Sequence, residues 1–185
     1  MIEKASPSKP HWTDPFMPSS GATISACGTY RYRLWRQWDD MRPVMVWVMM
    51  NPSTADAQSD DPTIRRCIGF ARREGYGGID VLNVFALRAT DPSELARHPD
   101  PVGPENERAL LDARRRHLMS ALVLAWGNPK GGRRLIRHYL NAAQCLVGQS
   151  AQCFGVNANQ HPKHPLYIAA AAPLLPWRWP DGWRG

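Results

Sequence analysis

The sequence contains no apolar run that approaches the roughly 18 residues needed to span a membrane. It also contains no Cys-X-X-Cys pair. Its four cysteines stand at irregular spacing, as Cys27, Cys67, Cys145 and Cys153. These absences argue against a membrane protein, a structural zinc site and a secreted disulfide scaffold. They favour a protein of the reduced cytoplasm in which the cysteines serve as small core residues.

A hydrophobic signal core is also missing from the beginning of the sequence. Residues 1–22 are polar and contain several prolines, so they are predicted to form a flexible N-terminal arm. Residues 23–185 are predicted to form a single domain, because an apolar content of 43% in a chain of 185 residues is sufficient for one core.

Acidic residues are scarce in the second half of the chain. After Asp112 the only acid is Asp181, whereas ten residues of that stretch are Lys or Arg, and the whole sequence has a net charge of +7. This asymmetry predicts a positive surface that faces a polyanion such as nucleic acid. Arg133, Arg134 and Arg137 are the candidates for that surface. The alternative is a solvated basic surface that only aids solubility.

Short apolar runs alternate with helical patterns along the chain. Strands are predicted at residues 29–36, 44–50, 79–85, 121–126 and 144–148. Helices are predicted to begin at Asp60-Asp61-Pro62 and at Pro104, and to cover 133–140 and 166–172. The first two strands are predicted to form a hairpin or to lie side by side. The alternation predicts an α/β fold, a three-layer α/β/α sandwich with a mostly parallel four-stranded central sheet plus an N-terminal strand.

The strand at residues 44–50 is apolar throughout and ends abruptly at Asn51-Pro52. Proline cannot donate to a sheet ladder, so the strand stops and a loop of small polar residues follows, Asn51-Pro52-Ser53-Thr54-Ala55-Asp56. In an open α/β sheet, ligands bind in the crevice at the carboxyl ends of the strands. Residues 51–56 are therefore the predicted active-site loop.

Four short motifs resemble those of a bacterial domain-of-unknown-function family, DUF1643. They are Asn-Pro-Ser-Thr-Ala-Asp at 51–56, Asp-Pro-Thr at 61–63, Ala-Trp-Gly-Asn at 125–128 and His-Pro-Leu-Tyr at 164–167. The family label itself implies no activity.

The same region, about residues 44 to 170, also resembles the uracil-DNA glycosylase superfamily, and in particular its mismatch-specific branch. Asn51-Pro52-Ser53 resembles the Asn-Pro-Gly loop that follows the first core strand of that branch, although a serine replaces the glycine. Asn83 resembles the strand asparagine that reads the edge of the base. Asn128 belongs to a Gly-Asn pair similar to the one that ends a later core strand.

A late His-Pro loop of that superfamily enters the minor groove of DNA, and two segments of this chain resemble it. His161-Pro162-Lys163 is one of them and His164-Pro165-Leu166 is the other. The resemblance leaves open which of the two histidines matches.

The superfamily resemblance implies a cofactor-free hydrolase of an N-glycosidic bond in nucleic acid, DNA in the first place, or in a nucleotide, as in DNA repair or modified-base processing. Asn51 would position the attacking water, Asp56 would stabilise positive charge on the sugar, and His164 would stabilise the departing base. The implied substrate-binding residues are Pro52, Ser53, Asp61, Asn83, Asn128, His161, Lys163 and Tyr167.

Several of these residues also have purely structural interpretations. Asp61 is placed to cap the helix that follows it, and Asn83 could satisfy backbone groups at the end of a strand. Tyr167 is interpreted as a core anchor. The tail tryptophans Trp177, Trp179 and Trp183 could stack on bases, but packing of the tail onto the core is the favoured interpretation.

Two other functions are open at this point. The first is a non-catalytic nucleic-acid-binding module on the same fold. The second is a metal-dependent phosphoesterase that uses Asp56, Asp60 and Asp61, although no fourth ligand is evident. The favoured hypothesis expects nucleic acid or a nucleotide as the partner, with no metal, no membrane and no obligate protein partner.

Overall fold

A seven-stranded mixed sheet is the centre of the computed structural model, which describes residues 19–53, 55–91, 93–117, 120–128, 132–145 and 150–178. The strands are β1 (Ser19–Ile24), β2 (Arg31–Gln37), β3 (Val44–Met49), β4 (Gly78–Asn83), β5 (Leu122–Leu124), β6 (Ala151–Cys153) and β7 (Leu175–Pro176). The helices are α1 (Pro62–Arg73), α2 (Glu94–Arg97), α3 (Asn106–Arg116) and α4 (Gly132–Cys145), with a 3-10 helix at Pro165–Tyr167. The predicted α/β class is confirmed.

The order of the strands in the sheet is β1-β2-β4-β3-β5-β6-β7. β3 pairs in parallel with β4 on one side and with β5 on the other, and β6 runs parallel to β5. Antiparallel pairs complete the two edges, through β1, β2 and β4 at one edge and through β6 and β7 at the other. The sheet is therefore mixed, and it has more strands than the sequence predicts.

The prediction that β2 and β3 are partners or neighbours is wrong. β4 lies between them, and its Val81 pairs with Leu34 of β2 and with Trp47 of β3. The crossover through α1 brings the chain back as β4, parallel to β3. β4 therefore takes the position beside β3 that β2 was expected to take. The other neighbour of β2 is β1, a strand that the sequence patterns did not reveal.

The central strand β3 is buried on both of its faces, which explains its uninterrupted apolar sequence. Val46 and Val48 belong to the core cluster on the side of α3 and α4. Met45 and Trp47 belong to the cluster on the side of α1. Helices thus cover the sheet on both faces.

The carboxyl-terminal half of the chain departs from its predicted elements. Of the strand predicted at 144–148, Gln144 and Cys145 belong instead to helix α4, and residues 146–148 lie outside the described residues. The strand that pairs with β5 is β6. Leu135, Tyr139 and Ala142 keep helical spacing and pack into the core, so the helix continues beyond its predicted end.

The final helix predicted over 166–172 is also wrong. Only Pro165–Tyr167 is helical, as a single 3-10 turn that begins after His164. The chain then continues through turns to Pro173 and enters β7, which the sequence patterns did not reveal.

The amino-terminal strand β1 begins at Ser19, inside the segment that the sequence assigns to an arm. Residues 1–18 lie outside the described residues. The flexible arm over 1–22 and the single domain over 23–185 therefore stay predictions.

The cysteines are free thiols, and three of the four are buried or partly buried. Cys67 and Cys153 are buried in the core, as the sequence predicts, and Cys145 is partly buried. Cys27 is exposed, because it lies in the turn between β1 and β2. Among the described helices, none is both long enough and apolar enough to cross a membrane.

A buried carboxylate in β4 ties the sheet to α3. The side chain of Asp80 is fully buried, with Arg33 Nε of β2 at 2.9 Å and His117 Nε2 at 2.8 Å, and Arg116 is 3.8 Å away. Burial alone would raise the pKa of Asp80, but the hydrogen bonds with His117 and Arg33 outweigh it, so the pKa is lowered from its ordinary value.

Replacing Asp80 with Asn is expected to lower the free energy of unfolding by about 3 kcal/mol, because it leaves partly buried cations without their counter-charge. Asp112→Asn is the control, since its ion pair with Arg115 is largely exposed and is worth less than about 1 kcal/mol. Urea unfolding at pH 7 measures both changes.

The contribution of Asp80 also has a defined pH dependence. Because its pKa is lowered in the folded state, the contribution is present above the unfolded pKa of about 3.9 and is lost as the pH falls through the folded pKa. The difference between the wild-type protein and Asp80→Asn should therefore shrink below about pH 4. Equal losses in Asp80→Asn and Asp112→Asn at pH 7 would contradict this account.

Candidate functional site

The chain changes direction across the sheet at β3. From β3 it passes through α1 to β4 on one side, and from β4 it returns through α3 to β5 on the other side. Ligands of open α/β sheets bind at such a switch point, outside the carboxyl ends of the strands. A cleft of about 350 Å³ lies there, and its described lining consists of Met50, Asn51, Trp126, Gly127, Asn128, Asn157, His164 and Tyr167.

Asn51 enters this cleft immediately after β3, and its amide group is held in one orientation. Its Nδ2 donates to the carbonyl oxygens of Ala89 (2.8 Å) and Pro52 (3.1 Å). Because both partners are carbonyls, the NH₂ end must face them and Oδ1 is the other end. The side chain therefore offers a fixed acceptor, which is what orienting a water molecule requires.

Asp61 holds the loop of Asn51 against the beginning of α1. Its Oδ1 accepts from the backbone N–H of Ile64 (2.8 Å), so the interpretation of Asp61 as the cap of α1 is confirmed. Its Oδ2 accepts from the hydroxyl of Ser53. Both carboxylate oxygens are thus engaged by the protein, and neither Asp61 nor Ser53 is part of the described lining of the cleft.

Asp56 closes a turn within its own loop. Its Oδ1 accepts from the backbone N–H groups of Gln58 and Ser59, both at 2.9 Å. These two hydrogen bonds lower the pKa of Asp56. The structure does not bring this carboxylate into the described lining of the cleft, where Asn51 and His164 meet.

Two arginines of β2 support the loop from behind. Arg31 is only 2% exposed, and its Nη1 donates to the carbonyl oxygen of Ala55 at 2.6 Å. Arg36 donates through Nη2 to the carbonyl oxygen of Asp56 (2.7 Å) and through Nε to the carboxylate of Asp60 (2.9 Å). Burial lowers the pKa of Arg31 to about 10, so it remains charged at neutral pH.

Sequence reasoning missed these supporting arginines. The available signal was the placement of Arg31 and Arg36 in a strand that alternates arginines with the large residues Tyr32, Leu34 and Trp35. A charged residue in such a strand needs a partner, and here the partner is the backbone of the predicted active-site loop.

Asn83 ends β4, next to the end of β3, where it pairs with Met49. Its side chain is 1% exposed, and neither of its amide atoms has a hydrogen-bond partner among the described residues. It does not belong to the described lining of the cleft. The structure therefore places Asn83 beneath the carboxyl edge of the sheet rather than in the open part of the cleft.

His164 forms one wall of the cleft and also caps the 3-10 helix. Its Nδ1 accepts from the backbone N–H of Leu166 at 3.4 Å, which leaves the ring proton on Nε2. Burial lowers the pKa of His164, although the carboxylate of Asp61 acts in the opposite direction. A neutral imidazole with a proton on Nε2 is a hydrogen-bond donor at neutral pH.

His161 occupies a different environment from His164. It is 5% exposed, and its Nδ1 lies 3.5 Å from the indole nitrogen of Trp126. Burial lowers its pKa as well. Of the two candidate histidines, only His164 belongs to the described lining of the cleft.

Tyr167 lies at the mouth of the cleft and is 79% exposed, so its interpretation as a core anchor is wrong. The 3-10 turn directs Pro165 and Ile168 into the interior instead, and both are buried. The tyrosine ring lies 5.9 Å from the ring of His164, centroid to centroid. An exposed aromatic ring beside the cleft is a surface on which a planar ligand can stack.

The tail tryptophan that the structure describes packs against the core, as predicted. Trp177 is 7% exposed, and its ring meets that of Trp126 edge-on at a centroid distance of 5.6 Å. Its indole nitrogen donates to the carbonyl oxygen of Gln160 at 3.2 Å. Trp179 and Trp183 lie outside the described residues.

The remaining predicted residues lie around the cleft or away from it. Asn128 is exposed and lines the cleft, whereas Pro52 is buried and does not line it. Lys163 is partly buried, and its backbone N–H donates to Gly155. Arg137 is exposed on α4. Thr54 and the side chains of Arg133 and Arg134 lie outside the described part of the chain.

The described lining of the cleft carries no Asp, Glu, Lys or Arg. Its polar groups are three asparagine amides and the partly buried imidazole of His164, and its aromatic rings are those of the exposed Tyr167 and the buried Trp126. Within the described ranges, no three His, Cys, Asp or Glu residues are grouped so that they could hold a metal ion. The cleft thus has the chemistry to receive a neutral planar group with hydrogen-bonding edges.

Comparisons with known proteins place most of this chain in one family. A family model described as "Protein of unknown function (DUF1643)" matches residues 31–166, a range that includes β2 to β6 and the cleft residues up to His164. No curated protein and no solved structure matches the chain.

Gly127 lies against His164 in the wall of the cleft, and we expect this position to require glycine. Its φ is +74°, and an added Cβ would lie 3.3 Å from the Cβ of His164. We expect Gly127→Ala to cost about 1–2 kcal/mol in urea unfolding, because of the left-handed backbone and the contact with His164. Gly69→Ala in α1, where an added Cβ meets nothing within 4 Å, should instead stabilise by about 0.5–1 kcal/mol. Stabilisation by both substitutions would contradict the description of this wall.

The electrostatic link between Asp61 and His164 predicts a change in titration. In an NMR titration of the histidine rings, His164 should titrate below its ordinary pKa because it is buried. Asp61→Asn should lower the pKa of His164 further, since it removes the opposing negative charge, while asparagine still caps α1. Asp112→Asn should leave the pKa of His164 unchanged. An unchanged or higher pKa in Asp61→Asn would show that the carboxylate does not act on this ring.

Proposed function

Because the chain belongs to the protein family of unknown function DUF1643, we propose its function from the cleft itself: hydrolysis of an N-glycosidic bond in a nucleic acid or nucleotide. The observation that carries this proposal is the fixed Asn51 amide, which presents Oδ1 beside the neutral, aromatic cleft at the switch point of the sheet. Helices on both faces of the sheet are consistent with an α/β/α fold of the uracil-DNA glycosylase type.

The lining suits a nucleobase better than a phosphate or a sugar acid. A base has a flat face and an edge of donors and acceptors, and the cleft combines the exposed ring of Tyr167 with the amides of Asn128 and Asn157. Base stacking on an aromatic side chain contributes about 1–3 kcal/mol and tolerates different bases. A cleft without cationic side chains in its described lining gives no such support to an anionic group.

The reaction requires one bond to form and one to break. Asn51 Oδ1 accepts a hydrogen bond from a water molecule and orients its oxygen towards C1′ of the sugar. The water oxygen forms a bond to C1′ as the bond between C1′ and the base nitrogen breaks. The base leaves with the electron pair, and a proton from the water passes to it. Because Asn51 is a weak base, its role is to position the water rather than to deprotonate it.

His164 acts on the negative charge that develops on the departing base, and Asp61 acts on the positive charge that develops on the sugar. The Nε2 proton of His164 can donate to an oxygen of the departing base, where negative charge accumulates. The carboxylate of Asp61 contributes negative potential on the same side of the cleft, since its charge reaches His164. Negative potential favours an oxocarbenium-like sugar, as carboxylates do in glycoside hydrolysis.

A polymeric substrate, DNA in the first place, is supported by the charge of the chain. The net charge is +7, and Arg137 on α4 is exposed. Lys163 lies in the same loop as His164, so it is close to where a backbone phosphate would pass. Binding through such contacts weakens as salt increases.

The test is base release from oligonucleotides in the presence of EDTA. The panel contains single- and double-stranded DNA with uracil, mismatches and modified bases, together with free nucleotides. We expect release of a free base, or alkali-labile sites in the polymer. Asn51→Ala should reduce the rate by about 10²–10³-fold, because it removes the water-positioning acceptor. Gln58→Ala removes an exposed carboxamide from the same loop and should retain the full rate.

The outcomes separate this proposal from its alternatives. No base release across the panel, with salt-sensitive DNA binding retained, would overturn hydrolysis in favour of a non-catalytic nucleic-acid-binding module. Base release that persists in Asn51→Ala would overturn the role of Asn51. In a parallel panel with Mg²⁺ in place of EDTA, cleavage of phosphate esters without base release would favour the metal-dependent phosphoesterase.

A further inference from the structure

A second cavity lies on the face of the sheet that carries α3 and α4. Its volume is about 640 Å³, which is within the range of small-molecule sites. Its apolar wall includes Val84 after β4, Leu110 of α3 and Ala142 of α4. None of the residues that line it lines the cleft of Asn51, so it is a separate site.

One fully buried polar side chain lines this cavity and lacks a partner for one of its atoms. Asn106 is 0% exposed, and its Nδ2 donates to the carbonyl oxygens of Asn83 and Val84, both at 3.0 Å. These two bonds fix the orientation of the amide. Its Oδ1 has no hydrogen-bond donor among the described residues. Buried acceptors without a donor are rare in native proteins, so this atom indicates a missing N–H or O–H group.

The charge of the cavity identifies the kind of donor. Asp100 and Glu107 lie in its described lining, which includes no Lys or Arg. Both acids are exposed at its edge, and the Asp100 carboxylate also accepts from the backbone N–H of Gly103 at 2.9 Å. His138 completes this part of the lining and packs edge-on against Phe85. In a chain of net charge +7, an acidic cavity is selective for cations.

We propose that this cavity binds a small organic cation. An ammonium or amidinium group would donate one hydrogen to Asn106 Oδ1 and face the carboxylates of Asp100 and Glu107 with its charge. The apolar body of the ligand would lie against Val84 and Leu110. The ligand class is therefore an amine or amidine on a compact hydrophobic group.

Benzylamine is the probe, and benzyl alcohol is its neutral counterpart of nearly equal shape. Each is titrated into the full-length protein while the side-chain amide of Asn106 and the backbone amide of Leu110 are followed by NMR. Benzylamine should shift both signals in a saturable way with a roughly millimolar Kd, as expected for so few atoms. Benzyl alcohol should bind at least about tenfold more weakly, because it carries no charge.

Two variants test the position of the cation. Glu107→Gln changes only an exposed side chain and should weaken benzylamine binding by about two- to fivefold. Ala142→Phe should abolish binding, since its ring fills the cavity, and the dispersion of its NMR spectrum verifies that it folds. Asn51→Ala should bind benzylamine as the wild-type protein does, which keeps this test independent of the proposed hydrolase activity.

Three results would overturn the proposal. They are the absence of a saturable shift with benzylamine, equal binding of benzyl alcohol, and unchanged benzylamine binding in Glu107→Gln. If Ala142→Phe does not fold, the comparison of the two probes and the Glu107→Gln variant decide the question.

Discussion

The carboxylate of Asp61 connects more parts of the candidate site than any other group. One of its oxygens caps α1 through Ile64, and the other holds the hydroxyl of Ser53, two residues after Asn51. Its charge also acts on Arg31 and on His164. The first turn of α1, the active-site loop and the histidine wall are therefore tied to one side chain. The place at which α1 begins determines where the loop can lie.

Arg31 and Arg36 of β2 hold the loop in this arrangement from the side of the sheet. A buried guanidinium is unfavourable unless its hydrogens are bonded, and here Arg31 and Arg36 bond to the loop carbonyls of Ala55 and Asp56. The loop carbonyls thereby accept from Nη1 of Arg31 and Nη2 of Arg36, and the two arginines hold the loop against β2. The main-chain carbonyl of Asp56 accepts from Arg36, whereas its side chain accepts from the backbone N–H of Ser59 and so closes the turn. Its carboxylate thus has a structural use that its position in the motif did not indicate.

Sequence reasoning succeeded where the signal was local. The apolar run of β3, its end at Asn51 and the cap at Asp61 depend on neighbouring residues, and the structure has all three. The rule that ligands meet the carboxyl ends of parallel strands predicted the loop that begins at Asn51, and the superfamily resemblance added Asn128 and His164. The structure lines one cleft with all three.

Sequence reasoning failed where the fold depends on contacts between distant parts of the chain. The insertion of β4 between β2 and β3 depends on a crossover, and the exposure of Tyr167 depends on which residues of a single 3-10 turn face the core. The support from Arg31 requires a strand and a loop that lie 24 residues apart in sequence to meet. No periodicity within a short window carries that information.

The two cavities are separated by the end of β4, and this explains why the second one keeps an unpaired acceptor. The backbone N–H of Val84 donates to Met49 and that of Phe85 donates to Met50, so the chain after β4 is fixed to the end of β3. The amide of Asn106 is fixed in turn to the carbonyl of Val84. Rotating Asn106 to satisfy Oδ1 within the protein would break its bonds to the backbone, and each lost bond leaves a buried group unpaired at about 1–3 kcal/mol. The acceptor is therefore held in place by the same backbone that positions Met50 at the edge of the first cleft, and no described residue supplies a donor for it.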